Sequence, residues 1–392
     1  MHYIRYLSSP KIHVKGSDVQ LKAVIAVTTD LGETFYPHDL DLIVSLRSPT
    51  PDAEGHSEVY LRRKVQCPAY TRALPISLNL TRNDVDWPAC LHVNVAKPTT
   101  SRNPGFLPSV VDIWSSPLNP TKGHFASGPR IERRFTPLNE RPLTLIEESG
   151  DSIARHLWDG SQVLAQLIDR TINLDTSSSP LPLLEYVLIS ATYRRMHILE
   201  LGCGVGTVGL SIAQSIPDTD INLTDLSDVQ ELVEANIARL KPAINSKVSF
   251  LPLDWEAPVP QQVQSRSHDL IIVSECTYNT ATLPALISTL LALLVRSPKA
   301  VILVATKRRH PDEAVFFDLM QNAGLVLDCQ TTVPLPGVMG EGYADAESRV
   351  GVYCYVGRGH RLSLSPRGSE GEVTKSEGTG RGRGRGKARE QT

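Results

Sequence analysis

The feature that most constrains this chain is the stretch Met196–Leu210, which reads MHILELGCGVGTVGL. Its apolar run Ile198–Leu201 predicts a buried parallel strand, and an apolar, helix-compatible segment begins at Thr207. Between them lies the glycine turn Gly202–Gly206. Glycines let a ligand approach the backbone closely, and the first amides of a helix are free to bond it. A strand, a glycine turn and a helix N-terminus in this order predict a nucleotide-binding corner.

Two kinds of nucleotide cofactor are compatible with this corner. The segment Gly204–Gly209 matches the dinucleotide fingerprint G-x-G-x-x-G, but the match begins late relative to the end of the strand. Counted from the strand end, Glu200–Gly206 reads E-x-G-x-G-x-G. Asp225 closes the next predicted strand, 21 residues after Gly204, which is the spacing of an acid that bonds ribose hydroxyls. Both kinds of cofactor place an acid there, so Asp225 does not discriminate between them.

The residues from Met196 onward alternate between strand-like and helix-like patterns. We expect strands at 197–201, 220–224, 247–252, 269–274 and 300–305, and helices at 207–216, 227–240, 282–296 and 311–323. Two further strand-like runs, Leu325–Val333 and Val350–Val356, are separated by a Gly-rich segment without a helical pattern, which predicts an antiparallel hairpin. The alternation predicts an α/β fold with a doubly wound, mostly parallel sheet.

The residues before this sheet have a different pattern. Short β-prone runs are separated by clusters of Pro, Asp and Asn, which predicts a small antiparallel β module. We therefore expect three regions: a β-rich N-terminal module at 1–130, the α/β domain at 131–358 and a disordered tail rich in Arg and Gly at 359–392. No motif decides whether the N-terminal module is a structural extension or selects a substrate.

The tail ends in alternating arginine and glycine, Gly380–Lys387. This alternation resembles tails that contact RNA through phosphates and stacked bases. We prefer a solubilising or nuclear-targeting tail, because no folded RNA-binding motif accompanies it. A weak RNA contact remains the alternative.

Composition restricts the partners and the compartment. A net charge of −2 gives no general reason to expect nucleic-acid or membrane binding. The six cysteines are scattered without C-x-x-C pairs, which favours reduced thiols. The N-terminus lacks a signal-peptide core, and the longest apolar run, Leu283–Val295, is too short to span a bilayer. We expect a cytoplasmic monomer without a membrane partner, with a nuclear location also open.

Three further features carry chemistry. The buried strand Leu270–Val273 leads directly into Ser274, Glu275 and Tyr278, and ligands of open α/β sheets bind at such strand ends. The pair Asp254-Trp255 follows the third predicted strand. The pair Trp158-Asp159 lies upstream of the sheet, where a tryptophan by itself is most often a core aromatic.

Together with the glycine corner, these features resemble the family-16 class I, seven-β-strand methyltransferases that use S-adenosylmethionine. The resemblance covers about 145–357, and the family is dominated by protein-lysine methyltransferases. The closing hairpin fits this sheet, whereas a standard dinucleotide sheet is all parallel. Cys276–Asn279 and Lys307–His310 are similar to the fungal branch that methylates lysines on translation elongation factors. The family's acid-x-x-Tyr motif usually has Asp where this chain has Glu275.

The resemblance implies a role for each motif. The catalytic residues would be Glu275, which holds the incoming amine, and Tyr278, which lines the lysine channel. Glu200 would contact the methionine part of the cofactor, and Trp255 would pack on the adenine. The implied cofactor-binding residues are Trp158, Glu200, Gly202, Gly204, Asp225, Asp254, Trp255 and Ser274. No metal is implied.

The leading hypothesis is therefore a protein-lysine N-methyltransferase whose substrate is a protein, with a translation elongation factor as a candidate. One alternative is a class I methyltransferase that acts on a small amine or on RNA. Another is a non-catalytic binding subunit with a methyltransferase fold, and a nicotinamide dehydrogenase is more remote. For Glu275, the structural alternative is that it caps the strand end or pairs with a nearby arginine.

Overall fold

The structure is a computed structural model that describes residues 1–16, 18–50, 57–81, 84–96, 106–150, 152–174, 179–336 and 349–358. The expected tail at 359–392 lies outside these residues. Met1–Arg358 forms one compact unit. Across the described ranges, no helix has both the length and the apolar character that crossing a membrane requires.

Two β-sheets form the N-terminal part of the chain. Its strands are β1 (His2–Lys15), β2 (Asp18–Thr28), β3 (Leu40–Arg47), β4 (Val59–Cys67), β5 (Leu74–Thr81), β6 (Cys90–Val95), β7 (Val110–Val111), β8 (Ile113–Ser115), β9 (Arg130–Phe135) and β10 (Leu143–Glu148). The sheet orders are β5-β2-β1-β7 and β10-β9-β8-β6-β3-β4. All pairs are antiparallel except β1 with β7.

One hydrophobic core joins the two sheets. In β5, the buried residues Ile76, Leu78 and Leu80 alternate with more exposed ones, as expected for a strand with one face inward. Apolar residues of β2 and β3 belong to the same cluster, so the sheets pack face to face.

The β-prone runs expected in the N-terminal module begin with Val19–Thr29, so strand β1 was not predicted. Its register shifts at Ser8, and the exposed Leu7 interrupts the alternation of apolar and polar residues. Such irregularities hide a strand from any search for period two. The strands β9 and β10 pair with β8, so the sheet of the N-terminal part extends past the boundary expected at 130/131. That boundary stays a prediction.

The C-terminal part has the predicted α/β architecture. Its strands are β11 (Met196–Leu201), β12 (Thr219–Asp225), β13 (Lys247–Pro252), β14 (Leu270–Ser274), β15 (Val301–Thr306), β16 (Val326–Pro334) and β17 (Arg349–Val356). Its helices are α1 (Asp159–Ile172), α2 (Pro182–Ser190), α3 (Thr207–Ser215), α4 (Gln230–Arg239), α5 (Gln261–Gln264), α6 (Leu283–Arg296) and α7 (Val315–Asn322). These strands form a seven-stranded sheet in the order β13-β12-β11-β14-β15-β17-β16.

The expected doubly wound sheet with its closing hairpin is confirmed. Strands β11 to β15 are parallel, whereas β17 pairs antiparallel with both β15 and β16. Strands β14 and β15 are buried throughout, because helices cover both faces of a parallel sheet. The carboxyl ends of the parallel strands meet at one edge, and that edge carries the candidate site.

Candidate active site

The glycine corner, which we define as Glu200–Gly209 together with Asp225, follows β11. Gly202, Gly204 and Gly206 have φ values of +63°, +54° and +84°, a backbone region that favours glycine. The amide of Gly204 donates to Asp225 Oδ2 at 2.8 Å, and the amide of Leu226 donates to Oδ1 at 2.8 Å. The structure therefore places the predicted acid directly against the predicted glycine turn.

Residues from two further strand ends pack on this corner. A Cβ built on Gly202 would lie 2.5 Å from Cys276 Sγ and 3.1 Å from the ring of Trp255. Gly202, Trp255 and the end of β14 are thus brought together as the sequence predicts. Asp254 is exposed, and its Oδ1 accepts a hydrogen bond from the amide of Glu256 at 2.9 Å.

Glu200 lies beneath the start of α3. Glu200 is almost fully buried, and its Oε2 accepts a hydrogen bond from the amide of Gly209 at 2.8 Å. Burial raises the pKa of Glu200 to about 8, although the amide of Gly209 opposes the shift. This contact holds α3 against β11. The cofactor contact expected of Glu200 stays a prediction.

The segment before α1 lies across the corner. A Cβ on Gly204 would meet the carbonyl oxygen of Ala154 at 3.2 Å. Trp158 Nε1 donates to the carbonyl of Ile153 at 3.0 Å, and Arg155 pairs with Glu148 and bonds the carbonyl of Asp228. Trp158 therefore belongs to a segment fastened over the glycine corner.

The N-terminus of α1 presses on the end of β14. Ser161 Oγ lies 3.1 Å from Ser274 Oγ. A Cβ on Gly160 would lie 1.9 Å from Glu275 Oε1, so this approach requires glycine. Gly160 and Ser161 were not among the predicted site residues, although they directly follow the Trp158-Asp159 pair.

Glu275 has an unusual backbone conformation, and each oxygen of its carboxylate accepts one hydrogen bond. Its φ is +58°, which is uncommon for a residue other than glycine and is often found at functional sites. Its Oε1 accepts from the amide of Lys307 at 3.1 Å, and its Oε2 pairs with Arg309. Burial raises the pKa of Glu275 to about 7, against the opposing charge of Arg309. Pairing with a nearby arginine was the structural alternative for this residue, and the pair is present.

One further cation, Lys307, and two further acids, Asp30 and Asp159, surround this pair. Lys307 Nζ lies 3.0 Å from Asp30 Oδ1 and 2.8 Å from Asp159 Oδ2. Arg309 Nη2 lies 2.6 Å from Asp30 Oδ2, and its guanidinium lies 5.4 Å from the ring centroid of Trp158. Asp30, Asp159, Glu275, Lys307 and Arg309 are named here the bridging cluster, because Asp30 belongs to the N-terminal part.

Of this cluster, Glu275 was the one predicted site residue. Asp159, Lys307 and Arg309 lie in motifs that resemble the family but had no predicted site role, and Asp30 lies in none of these motifs. Lys307 directly follows the apolar strand β15, at the same edge as Glu275, which is a signal that sequence reasoning had available. Asp30 follows β2 of a different sheet, and no sequence pattern connects it with Arg309.

A cleft of about 510 Å³ opens beside the site, on the side of β15 and β17. Thr277 contributes to it, and its Oγ1 lies 2.7 Å from Thr306 Oγ1. Tyr278, the next residue, is 54% exposed. The other lining residues are Arg308, Glu313, Phe317, Thr332, Arg349, Gly351 and Tyr353. The cleft and the glycine corner thus flank the end of β14 from two sides.

Comparison with known proteins gives one family match. Residues 137–323 match the family model described as lysine methyltransferase. The match includes the glycine corner, the end of β14 and two cations of the bridging cluster. Residues 1–136, including Asp30, lie outside it.

Three curated relatives are similar to different shares of the chain. A UPF0665 family protein of Schizosaccharomyces pombe is 26% identical over 338 residues, which cover 80% of this chain and 91% of that protein. Protein-lysine N-methyltransferase EFM6 of Saccharomyces cerevisiae is 26% identical over 200 residues, or 47% of this chain and 77% of that protein. EEF1A lysine methyltransferase 3 of Mus musculus is 30% identical over 131 residues, or 33% of this chain and 53% of that protein. The first alignment extends beyond the family match into the N-terminal part.

Among solved structures, magnesium protoporphyrin IX methyltransferase from Synechocystis with bound SAM has a TM-score of 0.35 and 11% sequence identity. The likeness covers 54% of this chain and 86% of that chain.

Proposed function

We propose, from the premise that residues 137–323 belong to the lysine methyltransferase family, that this chain is a protein-lysine N-methyltransferase. Its cofactor is S-adenosylmethionine, as the sequence analysis expects. The observation that supports the proposal most is the extent of the family match, which spans both the glycine corner and Glu275-x-x-Tyr278. The name of the relative EFM6, a protein-lysine N-methyltransferase, favours a protein substrate, and the name EEF1A lysine methyltransferase 3 favours a translation elongation factor as the candidate.

The residues of the glycine corner fit this cofactor. Asp225 accepts the Gly204 amide, so its carboxylate lies beside the glycine turn and would serve as the acceptor for the ribose hydroxyls. Trp255 offers an aromatic face beside Gly202, and Trp158 lies in the segment that covers the corner. When bound, S-adenosylmethionine supplies an electrophilic methyl group. The residues of the chain bind this cofactor, orient the acceptor amine towards it and cover the site.

The end of β14 would hold the acceptor amine. Each carboxylate oxygen of Glu275 has a second lone pair beyond the bond it already accepts, so a hydrogen bond to an amine remains available. We assign Glu275 to orientation of the amine rather than to proton removal, because a carboxylate also stabilises the ammonium form. Fixed alignment of the two reacting centres is the main contribution of such a site.

The target side chain would enter along the cleft beside Thr277. Tyr278 directly follows Thr277 in the chain and is half-exposed, so its ring is accessible and would face the cationic lysine. Phe317 and Tyr353 pack against each other in the cleft wall, with ring centroids 4.9 Å apart, and form an apolar face for the lysine stem.

Tritiated-methyl labelling tests the proposal. The purified protein is incubated with tritiated S-adenosylmethionine and a cell extract, and the products are separated on a gel and hydrolysed. We expect one discrete protein band that resists ribonuclease and yields labelled methyl-lysine. Label in RNA or in small molecules would overturn the protein substrate. Cofactor binding without any label would overturn the enzyme assignment in favour of a binding subunit.

A further inference from the structure

Asp30 is an acid of the N-terminal part that lies inside the methyltransferase site. It follows β2, and its side chain is 1% exposed. Its backbone is fixed locally, because Arg5 Nη2 donates to the Asp30 carbonyl at 2.6 Å and the Leu31 amide donates to Oδ1 at 3.1 Å. A buried carboxylate is stable only when its charge is compensated by partners.

The two cations that bond this carboxylate come from the α/β domain. Lys307 Nζ bonds Oδ1 at 3.0 Å, and Arg309 Nη2 bonds Oδ2 at 2.6 Å. The amide of Asp159 also approaches Oδ2 at 3.5 Å. Burial by itself would raise the pKa of Asp30, but Arg309 and Lys307 hold it down at about 2. Asp30 is therefore charged and engaged on both oxygens.

Arg309 transmits this contact to Glu275. One terminal nitrogen bonds Asp30 and the other pairs with Glu275, so the planar guanidinium spans the two carboxylates. Lys307 repeats the arrangement on the other side, between Asp30 and Asp159. Asp30 thus bonds the side chains of both cations of the bridging cluster, whereas Glu275 pairs with the side chain of Arg309 and accepts from the backbone amide of Lys307.

We propose that Asp30 is a positioning residue for methyl transfer: through Arg309 it fixes where the Glu275 carboxylate stands at the end of β14. This inference rests on the proposed function and deepens it. The N-terminal part is then a component of the active site rather than an appended module, because the site lacks one anchor without it. Arg309 and Lys307 are the anchored groups, and Glu275 is the group that meets the substrate.

Loss of the Asp30 charge should change the position of the Glu275 carboxylate. Without it, Arg309 keeps Glu275 as its acid partner and is free to draw that carboxylate away from the acceptor amine. The glycine corner does not share these contacts, since its hydrogen bonds run to Asp225 and Glu200. We therefore expect slower methyl transfer and an unchanged affinity for the cofactor.

The test compares Asp30→Asn, Asp30→Glu and Arg309→Lys with the wild-type full chain. The control is Asp41→Asn, which makes the same change in β3 at an exposed pair with Lys64. For each variant we measure the melting temperature, the affinity for S-adenosylmethionine, and kcat and KM for the cofactor on the protein band that the wild type labels in cell extract.

We expect Asp30→Asn to lower kcat about tenfold to a hundredfold with a cofactor KM within a few-fold, because misplaced reacting groups cost about this much. Arg309→Lys should show the same split even if Asp30→Asn folds poorly, since a lysine cannot bond two carboxylates in fork geometry. Asp30→Glu should restore part of kcat, and Asp41→Asn should behave as wild type.

Two results would overturn the positioning role. One is wild-type kcat in Asp30→Asn or in Arg309→Lys. The other is a loss of kcat that only accompanies equal losses of cofactor affinity and melting temperature. A wild-type protein that binds S-adenosylmethionine but labels no protein is a different result: it refutes the proposed function, and the positioning role with it.

Discussion

The glycine corner and the bridging cluster lie on the same edge of one sheet, yet they are built in different ways. The corner consists of residues close in sequence, and backbone amides hold its acids. The cluster joins Asp30, Asp159, Glu275, Lys307 and Arg309, which are distant in sequence, through side-chain charges. The glycine corner forms from a local backbone conformation, whereas the bridging cluster forms only when the N-terminal part packs against the α/β domain.

The acids of the two regions also differ electrostatically. Burial raises the pKa of Glu200 to about 8 and raises that of Asp225, since amides rather than cations face them. In the cluster, Arg309 and Lys307 overcome burial at Asp30 and lower its pKa to about 2, whereas at Glu275 burial outweighs Arg309 and raises the pKa to about 7. Neutral amides thus face the acids of the corner, whereas cationic side chains face Asp30 and Glu275.

The largest effect should come from breaking the corner alone. We expect Gly204→Val to remove measurable binding of S-adenosylmethionine, because φ at this position is +54° and the new side chain would press on the Ala154 carbonyl. Isothermal titration measures the loss. The matched control is Gly123→Val. Its φ of +81° gives similar backbone strain, but no atom lies within 4 Å of the added Cβ. Normal affinity in Gly204→Val would remove the corner from cofactor binding.

The next effect should come from breaking the cluster alone. Glu275→Ala should lower methyl transfer by about a hundredfold or more while cofactor affinity stays within a few-fold. It should also lower the melting temperature, because Arg309 would lose one of its two acids. Glu275→Asp should keep measurable transfer, and Tyr278→Phe should reduce transfer less, since its ring remains. Normal turnover in Glu275→Ala would make its pairing with Arg309 purely structural.

A smaller effect should come from Glu200 and tests its raised pKa. The folded-state pKa of Glu200, about 8, is above its ordinary value of 4.5, so the stability linked to this group is present below 4.5 and is lost as pH rises towards 8. Glu200→Gln should remove this loss, with a gain in unfolding free energy on the order of a few kcal/mol at pH 8 and little change at pH 4. Urea unfolding without cofactor at both pH values measures it.

The control for this change is Glu256→Gln, which removes an exposed acid near the same sheet edge. Its stability difference from the wild type should not grow with pH. An equal pH dependence in Glu200→Gln and in the wild type would show that Glu200 is not held in its protonated form by burial.

The smallest effect should come from a substitution of Asp254, which precedes Trp255 of the site. Asp254 is exposed, and Asn can still accept the hydrogen bond from the Glu256 amide. If Asp254 contacts the adenine amine, Asp254→Asn should weaken cofactor affinity only a few-fold, because an exposed hydrogen bond contributes about 1 kcal/mol. Titration with S-adenosylmethionine would show it, and unchanged affinity would exclude Asp254 from the binding residues.

The sequence by itself determined the sheet and the corner. The runs that become β11, β14 and β15 are mostly apolar, and a contiguous strand, glycine turn and helix leave few alternatives. The order of strands and helices and the closing hairpin followed from periodicity. Strand β1 did not, because its register shifts break the alternation on which such reasoning depends.

Only the tertiary structure decided the surroundings of Glu275. The sequence placed this acid at the end of β14 but could not tell whether it would face a substrate amine or an arginine of its own chain. Arg309 pairs with it from beyond the end of β15, and Asp30 of another sheet bonds Arg309 in turn. In a buried, low-dielectric site, each charge is determined by the charges packed around it, and that set exists only once the N-terminal part and the α/β domain have packed together.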